Sequence, residues 1–257
     1  MISLYTYFMA TIIEIITNID TFFLGAFHTF AEKSGSFLTP LSKFLTAIGE
    51  KGLLFLLLAV VLMLFPKTRK LGVCVFGAIA CCFLISNLIL KDAIARTRPY
   101  LSTVQIFQWW AAAGHVEESG FSCPSGHVGA AMAGVTAIWF FRNRESKREK
   151  LWLLLFLWPV AMAFSRCYLM AHYPSDCLLG FFVGWLSAFL AWFVTEFIWV
   201  LLENHKTAPF PFFVLNVNPV TLVRRYIRIA SDRKKANAKD PEHAAAPKTK
   251  RNGSSGA

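Results

Sequence analysis

Five apolar runs, each near the length of a bilayer-crossing helix, restrict this chain more than any other feature. They are GLLFLLLAVVLMLFP (52–66, extended backwards by PLSKFLTAIGEK), LGVCVFGAIACCFLISNLIL (71–90), Gly126 to Phe141, 151–171 and 177–202. A membrane helix needs about 20 mostly apolar residues. Only 16% of the chain is charged, against roughly 25% in a soluble domain. The reading is an all-α, polytopic transmembrane helical bundle of five to six spans, with amphipathic segments at both ends. Residues 1–32 carry Glu14, Asp20 and Glu32 in an otherwise apolar helix. They are either a further span or an interfacial helix. The start lacks a basic region and a small-residue cleavage site, so it is expected to be a retained helix and not a leader.

The charge pattern gives an expected orientation. A net charge of +11 raises nucleic acid as a partner, but the excess lies in short loops and the tail. Lys67, Arg69 and Lys70 follow the first run, and Arg142, Arg144, Lys147, Arg148 and Lys150 follow the third. Arg224, Arg225, Arg228, Arg233, Lys234 and Lys235 follow the fifth. The positive-inside rule puts these ends in the cytoplasm and segments 91–125 and 172–176 outside. No nucleic-acid role is expected. The domains expected are 1–32, an N-terminal helix; 33–203, a membrane domain; 204–231, a cytoplasmic amphipathic segment; and 232–257, a disordered basic tail. Asn218 and Pro219 are placed to start a helix in the third of these. The six cysteines fit no zinc spacing, and any disulfide among them stays open.

Three polar clusters then fall on the outer ends of the spans. KDAIARTRP (91–99) puts Lys91 and Arg98 seven apart, on one face if helical. Two cations suit an anion, although snorkelling at an interface would use the same residues. PSGH (124–127) opens a run, and the N–H groups of a helix start form an anion site; an ordinary capped helix reads the same way. In SRCYLMAHYPSD (165–176), Asp176 lies four residues after His172, close enough to fix its tautomer. A structural Arg–Asp pair is the alternative, but ionisable residues within a membrane are expensive and usually functional. Trp109 and Trp110 suit a water–lipid boundary, bordering a lipid entry or anchoring the loop. His115 has no motif partner.

In chain order, K-x6-RP, PSGH and SR-x5-H-x3-D resemble, residue for residue, the three-part signature of the type 2 phosphatidic acid phosphatase (PAP2) superfamily. The resemblance covers about residues 20–200. It implies that His172 is a nucleophile forming a phosphohistidine, that Asp176 orients it, and that His127 is the acid and then the base. It also implies that Lys91, Arg98, Ser125, Gly126 and Arg166 hold the phosphate. Cys123 departs from the aromatic residue often found before PSGH and changes only the pocket lining. No cofactor and no metal are expected; Glu117 and Glu118 lack histidine partners at ligand spacing. The implied activity is a membrane lipid phosphatase of the bacterial plasma membrane, with its active site extracytoplasmic and its C-terminus cytoplasmic. The implied substrate is undecaprenyl diphosphate, phosphatidate or phosphatidylglycerophosphate; the oligomeric state is open. A lipid phosphotransferase, a vanadium haloperoxidase-like enzyme and a non-catalytic lipid transporter remain as alternatives.

Overall fold

The structure is a computed structural model and describes residues 2–142 and 149–239. Those residues form an all-helical bundle. Helix α1 is Ile2–Lys33, α2 Thr39–Ile48, α3 Leu53–Met63 and α4 Pro66–Phe83. After a π-helical turn at Leu84–Leu90 come α5 (Lys91–Ile94) and α6 (Val104–Ala112). Then follow α7 (Gly126–Phe140), α8 (Leu157–Tyr168), α9 (Pro174–Asn204), α10 (Pro209–Asn216) and α11 (Pro219–Lys239). Four stretches are long and apolar enough to cross a membrane: Ala10–Lys33, Pro66–Leu101, Lys150–Tyr168 and Pro174–Asn204. The bent pair α2–α3 makes a fifth, and α7 is a shorter apolar helix.

Helix α7 is the centre of the bundle. Its sequence, GHVGAAMAGVTAIWF, is apolar on every side and small at most positions. A helix without a polar face is buried on all sides, and small residues let neighbouring backbones come close. From His127 to Ala137 every residue but Met132 is buried. Helices α4, α8 and α9 surround it, and the main apolar core joins α3, α4, α7 and α9 through Phe55, Ala59, Val75, Ala78, Ala133 and Val183.

Helix α1 packs on α8 and α9. By length and composition it matches a span, and it exposes Ile13, Phe22 and Phe30. Asp20, which argued for an interfacial helix, is 1% exposed. It faces the bundle, where an arginine neutralises it.

The chain departs from expectation at two places. Lys91 and Arg98 do not share a helix face. The helix ends at Ile94, Ala95 takes a left-handed φ of 49°, and Arg98 is extended (φ −72°, ψ 153°). Pro99 disfavours helical geometry in the residue before it. The tail also differs: α11 continues to Lys239, through residues expected to be disordered from 232. Asn218 Oδ1 accepts the Val220 N–H at 2.9 Å, as the cap reading requires. The remaining tail, 240–257, lies outside the described residues.

At the basic end, Arg69 is buried and fastens α4 to the C-terminal segment. It donates to the carbonyls of Met63 (2.8 Å), Val217 (2.8 Å) and Val214. Lys70 pairs with Glu196 on α9 at 2.7 Å. The starts of α3, α7 and α9 lie at the opposite end, with the three polar clusters.

Candidate active site

The three clusters meet around one cavity of about 150 Å³. Lys91, Gly126, His127 and His172 line it on the motif side, and Glu118 and Ser119 line it from the outer loop. Its remaining wall is Ile79, Cys82, Phe83 and Ala130 with the polar Ser86 and Asn87, so a polar mouth leads to a mostly apolar floor inside the span.

His172 sits in the short turn between α8 and α9 and is 1% exposed. Its Nδ1 lies 3.7 Å from Asp176 Oδ2, and its Nε2 lies 3.4 Å from Arg98 Nη1. A guanidinium has only donors, so the Nε2 it faces carries the lone pair. The proton is then on Nδ1, toward Asp176. Burial pushes the His172 imidazole down to about 4; Asp176 opposes this, while Arg166 and Arg98 add to it. At neutral pH His172 is an uncharged imidazole with its lone pair on Nε2, facing Arg98.

Asp176 is fully buried. Its Oδ2 accepts the Tyr173 N–H at 2.9 Å, closing the cap of α9. Its Oδ1 takes Arg96 Nη1 at 2.8 Å. Arg96 reaches with Nη2 to Asp20 Oδ2 at 2.7 Å, and its guanidinium lies 3.9 Å over the Tyr173 ring. Asp20 also accepts the Ser175 N–H (2.9 Å) and Ser175 Oγ–H (2.6 Å). A relay of charges therefore runs Asp20–Arg96–Asp176–His172. Asp20 and Arg96 were missed as site residues. The one available signal was a carboxylate in an apolar helix and an extra arginine inside the first motif.

Arg98 and Arg166 are both buried. Arg98 is heavily engaged: Nε donates to Gly120 O (2.9 Å), Nη2 to Ser119 O (2.8 Å) and Nη1 to Ala171 O (3.1 Å). It thus fixes the outer loop as well as facing His172. Arg166 donates to Thr46 Oγ1 at 3.3 Å and to Glu118 Oε1 at 2.5 Å. Its Nε has no protein partner, and neither do Ser125 Oγ, His127 Nε2 and His172 Nδ1. Buried polar atoms are usually satisfied. Of the six buried side-chain orphans among the described residues, His172 Nδ1 faces Asp176 at 3.7 Å, and Ser125, His127 and Arg166 supply three at the predicted phosphate site; Thr136 and Trp158 supply the others.

Ser125 precedes α7, whose first N–H groups open toward the cavity from Gly126. The Ser125 N–H donates to Asp176 O at 3.0 Å, joining the second motif to the third. Close approach of α9 requires Gly180: a Cβ there would lie 2.8 Å from Ser125 O.

The aromatic pair has a structural use. Trp110 is buried, stacks on Tyr100 at 4.6 Å and donates Nε1 to Val116 O at 3.0 Å. Trp109 stacks on His28 of α1 at 4.8 Å. Both anchor the outer loop, and His115 packs edge-on to Trp110. Burial and the Asp176 carboxylate push the Cys123 thiol up to about 12, so it stays protonated.

The profile of the PAP2 superfamily matches residues 70–199, half of the chain, and this segment contains all three clusters. The chain belongs to the PAP2 superfamily. Asp20, α1, α2 and α3 lie outside the matched segment. A lipid A 4'-phosphatase of Bacteroides thetaiotaomicron is 26% identical over 54% of this chain and 62% of its own length. An undecaprenyl-diphosphatase of Sulfolobus acidocaldarius is 22% identical over 66% of this chain and 75% of its own. The crystal structure of the transmembrane PAP2-type phosphatidylglycerolphosphate phosphatase of Bacillus subtilis superposes with a TM-score of 0.51 at 25% identity. It covers 71% of this chain and 95% of that one. These proteins carry three different lipid phosphates in their names, so the likeness supports a membrane phosphatase without choosing a substrate.

Proposed function

We propose that this PAP2 protein hydrolyses a lipid phosphate, without a metal, through a phosphohistidine on His172. The observation that carries the reading is the neutral His172, with Nδ1 toward Asp176 and Nε2 toward the cavity and Arg98. In the first step the Nε2 lone pair attacks phosphorus and the bond from phosphorus to the lipid oxygen breaks. His127, charged by a proton taken up together with the substrate's phosphate, gives that proton to the leaving oxygen and is left neutral. In the second step His127 takes a proton from water, whose oxygen attacks phosphorus, and the P–N bond breaks to release phosphate. Asp176 stabilises the positive charge that the ring gains in between. Lys91, Arg166, Ser125 and the first N–H groups of α7 are placed to hold the non-bridging oxygens as charge builds on them.

The polar mouth and apolar floor support a substrate whose phosphate sits at the outer end while its chain lies along the span. Undecaprenyl diphosphate, phosphatidate, phosphatidylglycerophosphate and a lipid A phosphate all have this form. The basic ends of α4 and α11 lie opposite the site, which supports an extracytoplasmic face.

The test is phosphate release from each lipid by detergent-purified protein in EDTA, beside His172→Ala. Release by the wild type and none by the variant is expected. Wild-type release that EDTA abolishes overturns the metal-free mechanism, and release that survives in the variant overturns the phosphohistidine. Phosphate appearing on an added alcohol instead of water would identify a transferase.

A further inference from the structure

Glu118 stands in the phosphate site but belongs to none of the three motifs. Its Oε1 accepts Arg166 Nη2 at 2.5 Å, and its Oε2 lies 3.9 Å from Arg98 Nη2. A planar carboxylate between two guanidiniums copies the way two oxygens of a phosphate are held. Burial pushes the Glu118 carboxyl up, but Arg166, His127 and Arg98 outweigh it, so the group lies below the usual range and is ionised.

The loop that carries Glu118 is fixed by contacts the carboxylate does not make. Tyr100 Oη–H donates to Glu118 O at 2.9 Å. Arg98 holds Ser119 O and Gly120 O, and Trp110 holds Val116 O. The backbone is anchored independently of the carboxylate, so the side chain can turn away from Arg166 without moving the loop. It has somewhere to go. A second, more open basin lies on the outer side, lined by Lys43, Thr46, Glu117 and His115, and it shares Glu118, Ser119 and His127 with the catalytic cavity. Glu118 thus stands at the partition between a mouth toward the apolar floor and a mouth toward water.

We infer that Glu118 is an internal anion that occupies the phosphate cradle between turnovers and competes with phosphate for Arg166. This inference rests on the proposed phosphate site and deepens it. Every phosphate, substrate or product, displaces the carboxylate on entry, and the returning carboxylate helps to expel the product. The two arginines are never left as bare buried charges. Affinity for inorganic phosphate is lowered by the strength of the contact displaced, roughly tenfold to a hundredfold for a charge-assisted hydrogen bond. A residue that merely braced Arg166 would act the other way, since its loss would loosen the arginine and weaken phosphate binding.

The experiment is equilibrium binding of radiolabelled inorganic phosphate to full-length protein in detergent. Wild type, Glu118→Gln, Glu118→Ala and Arg166→Ala are compared, each first shown to elute as a single folded species. Both Glu118 variants keep the backbone anchors of the loop. Binding roughly tenfold or more tighter in both, with binding lost in Arg166→Ala, is the expected result. Unchanged or weaker binding in either folded Glu118 variant, with binding still lost in Arg166→Ala, overturns the role of Glu118 and leaves the cradle standing. Phosphate binding that survives Arg166→Ala unchanged overturns the cradle itself, and the inference with it. Should one Glu118 variant fail to fold, the other decides the sign.

Discussion

At the scale of single residues, charge is arranged in series. In the proposed mechanism His172 attacks only while neutral, and burial holds it so down to about pH 4. Above that value Nε2 keeps its lone pair; below it the ring is protonated and cannot attack, so kcat/KM falls on the acid side. Asp20 acts on this balance from α1, through Arg96 and Asp176. In Asp20→Asn one negative charge is lost and Arg96 pulls on Asp176 alone. The ring charge that develops during attack is then less stabilised. Activity is expected to fall roughly tenfold to a hundredfold, the scale of one charged hydrogen bond. The acid limb of the pH profile should move to lower pH, because His172 becomes harder to protonate. Comparing variant and wild type on one substrate cancels the ionisation of the lipid phosphate. A purely structural role for Asp20 would lower the rate and leave the limb in place. The eight residues chosen from the motifs lie close together in the structure, because each motif sits at the outer end of an apolar run that the sequence makes plain. Asp20 and Glu118 were not legible. Their partners, Arg96 and Arg166, lie 76 and 48 positions away, and no local pattern encodes such a meeting.

At the scale of elements, the site depends on how closely α7 and α9 cross. Gly129, Gly180 and Gly184 remove the side chains that would hold them apart: a Cβ on Gly184 would lie 2.8 Å from Met132 Cβ, and one on Gly129 3.4 Å from the Gly180 carbonyl. Gly180 is the most informative, since its added Cβ would press on the Ser125 carbonyl. Gly180→Ala should cost about 1–3 kcal/mol, as overpacking does, and should lower kcat more than it raises KM for the lipid. Thermal unfolding in detergent together with steady-state kinetics checks both; an unchanged kcat would show that the crossing does not set the position of PSGH. The apolar runs announced their helices well, because hydrocarbon leaves the backbone few alternatives. What they hid was local. The π turn at Leu84–Leu90 and the early end of α5 at Ile94 arise where a helix must deliver Lys91 and then turn, and an even apolar run carries no mark of either. The reach of α11 to Lys239 was hidden differently: a basic, polar stretch reads as solvated chain and helix alike.

At the scale of the whole molecule, the two ends of the bundle differ in the residues they gather. One end gathers Arg69, Lys70 and the α10–α11 segment; the other gathers every residue of the proposed chemistry. If the positive-inside rule holds, the phosphate is released outside the cell membrane and α11 lies along the inner leaflet, with Arg224, Arg225 and Arg228 available to anionic lipid. Single cysteines in a cysteine-free background decide this. Glu117, 81% exposed at the side chain, marks the site end, and Asp232, exposed on α11, marks the other. A membrane-impermeant maleimide applied to intact cells should label Glu117→Cys and leave Asp232→Cys unlabelled until the membrane is opened. The reverse pattern would move the chemistry to the cytoplasm and remove any role in handling lipids on the outer leaflet. It would also mean that the cationic tail is set against the field that normally orients such chains, so the N-terminal span α1, which brings Asp20 to the site, would have to be the element that fixes the topology.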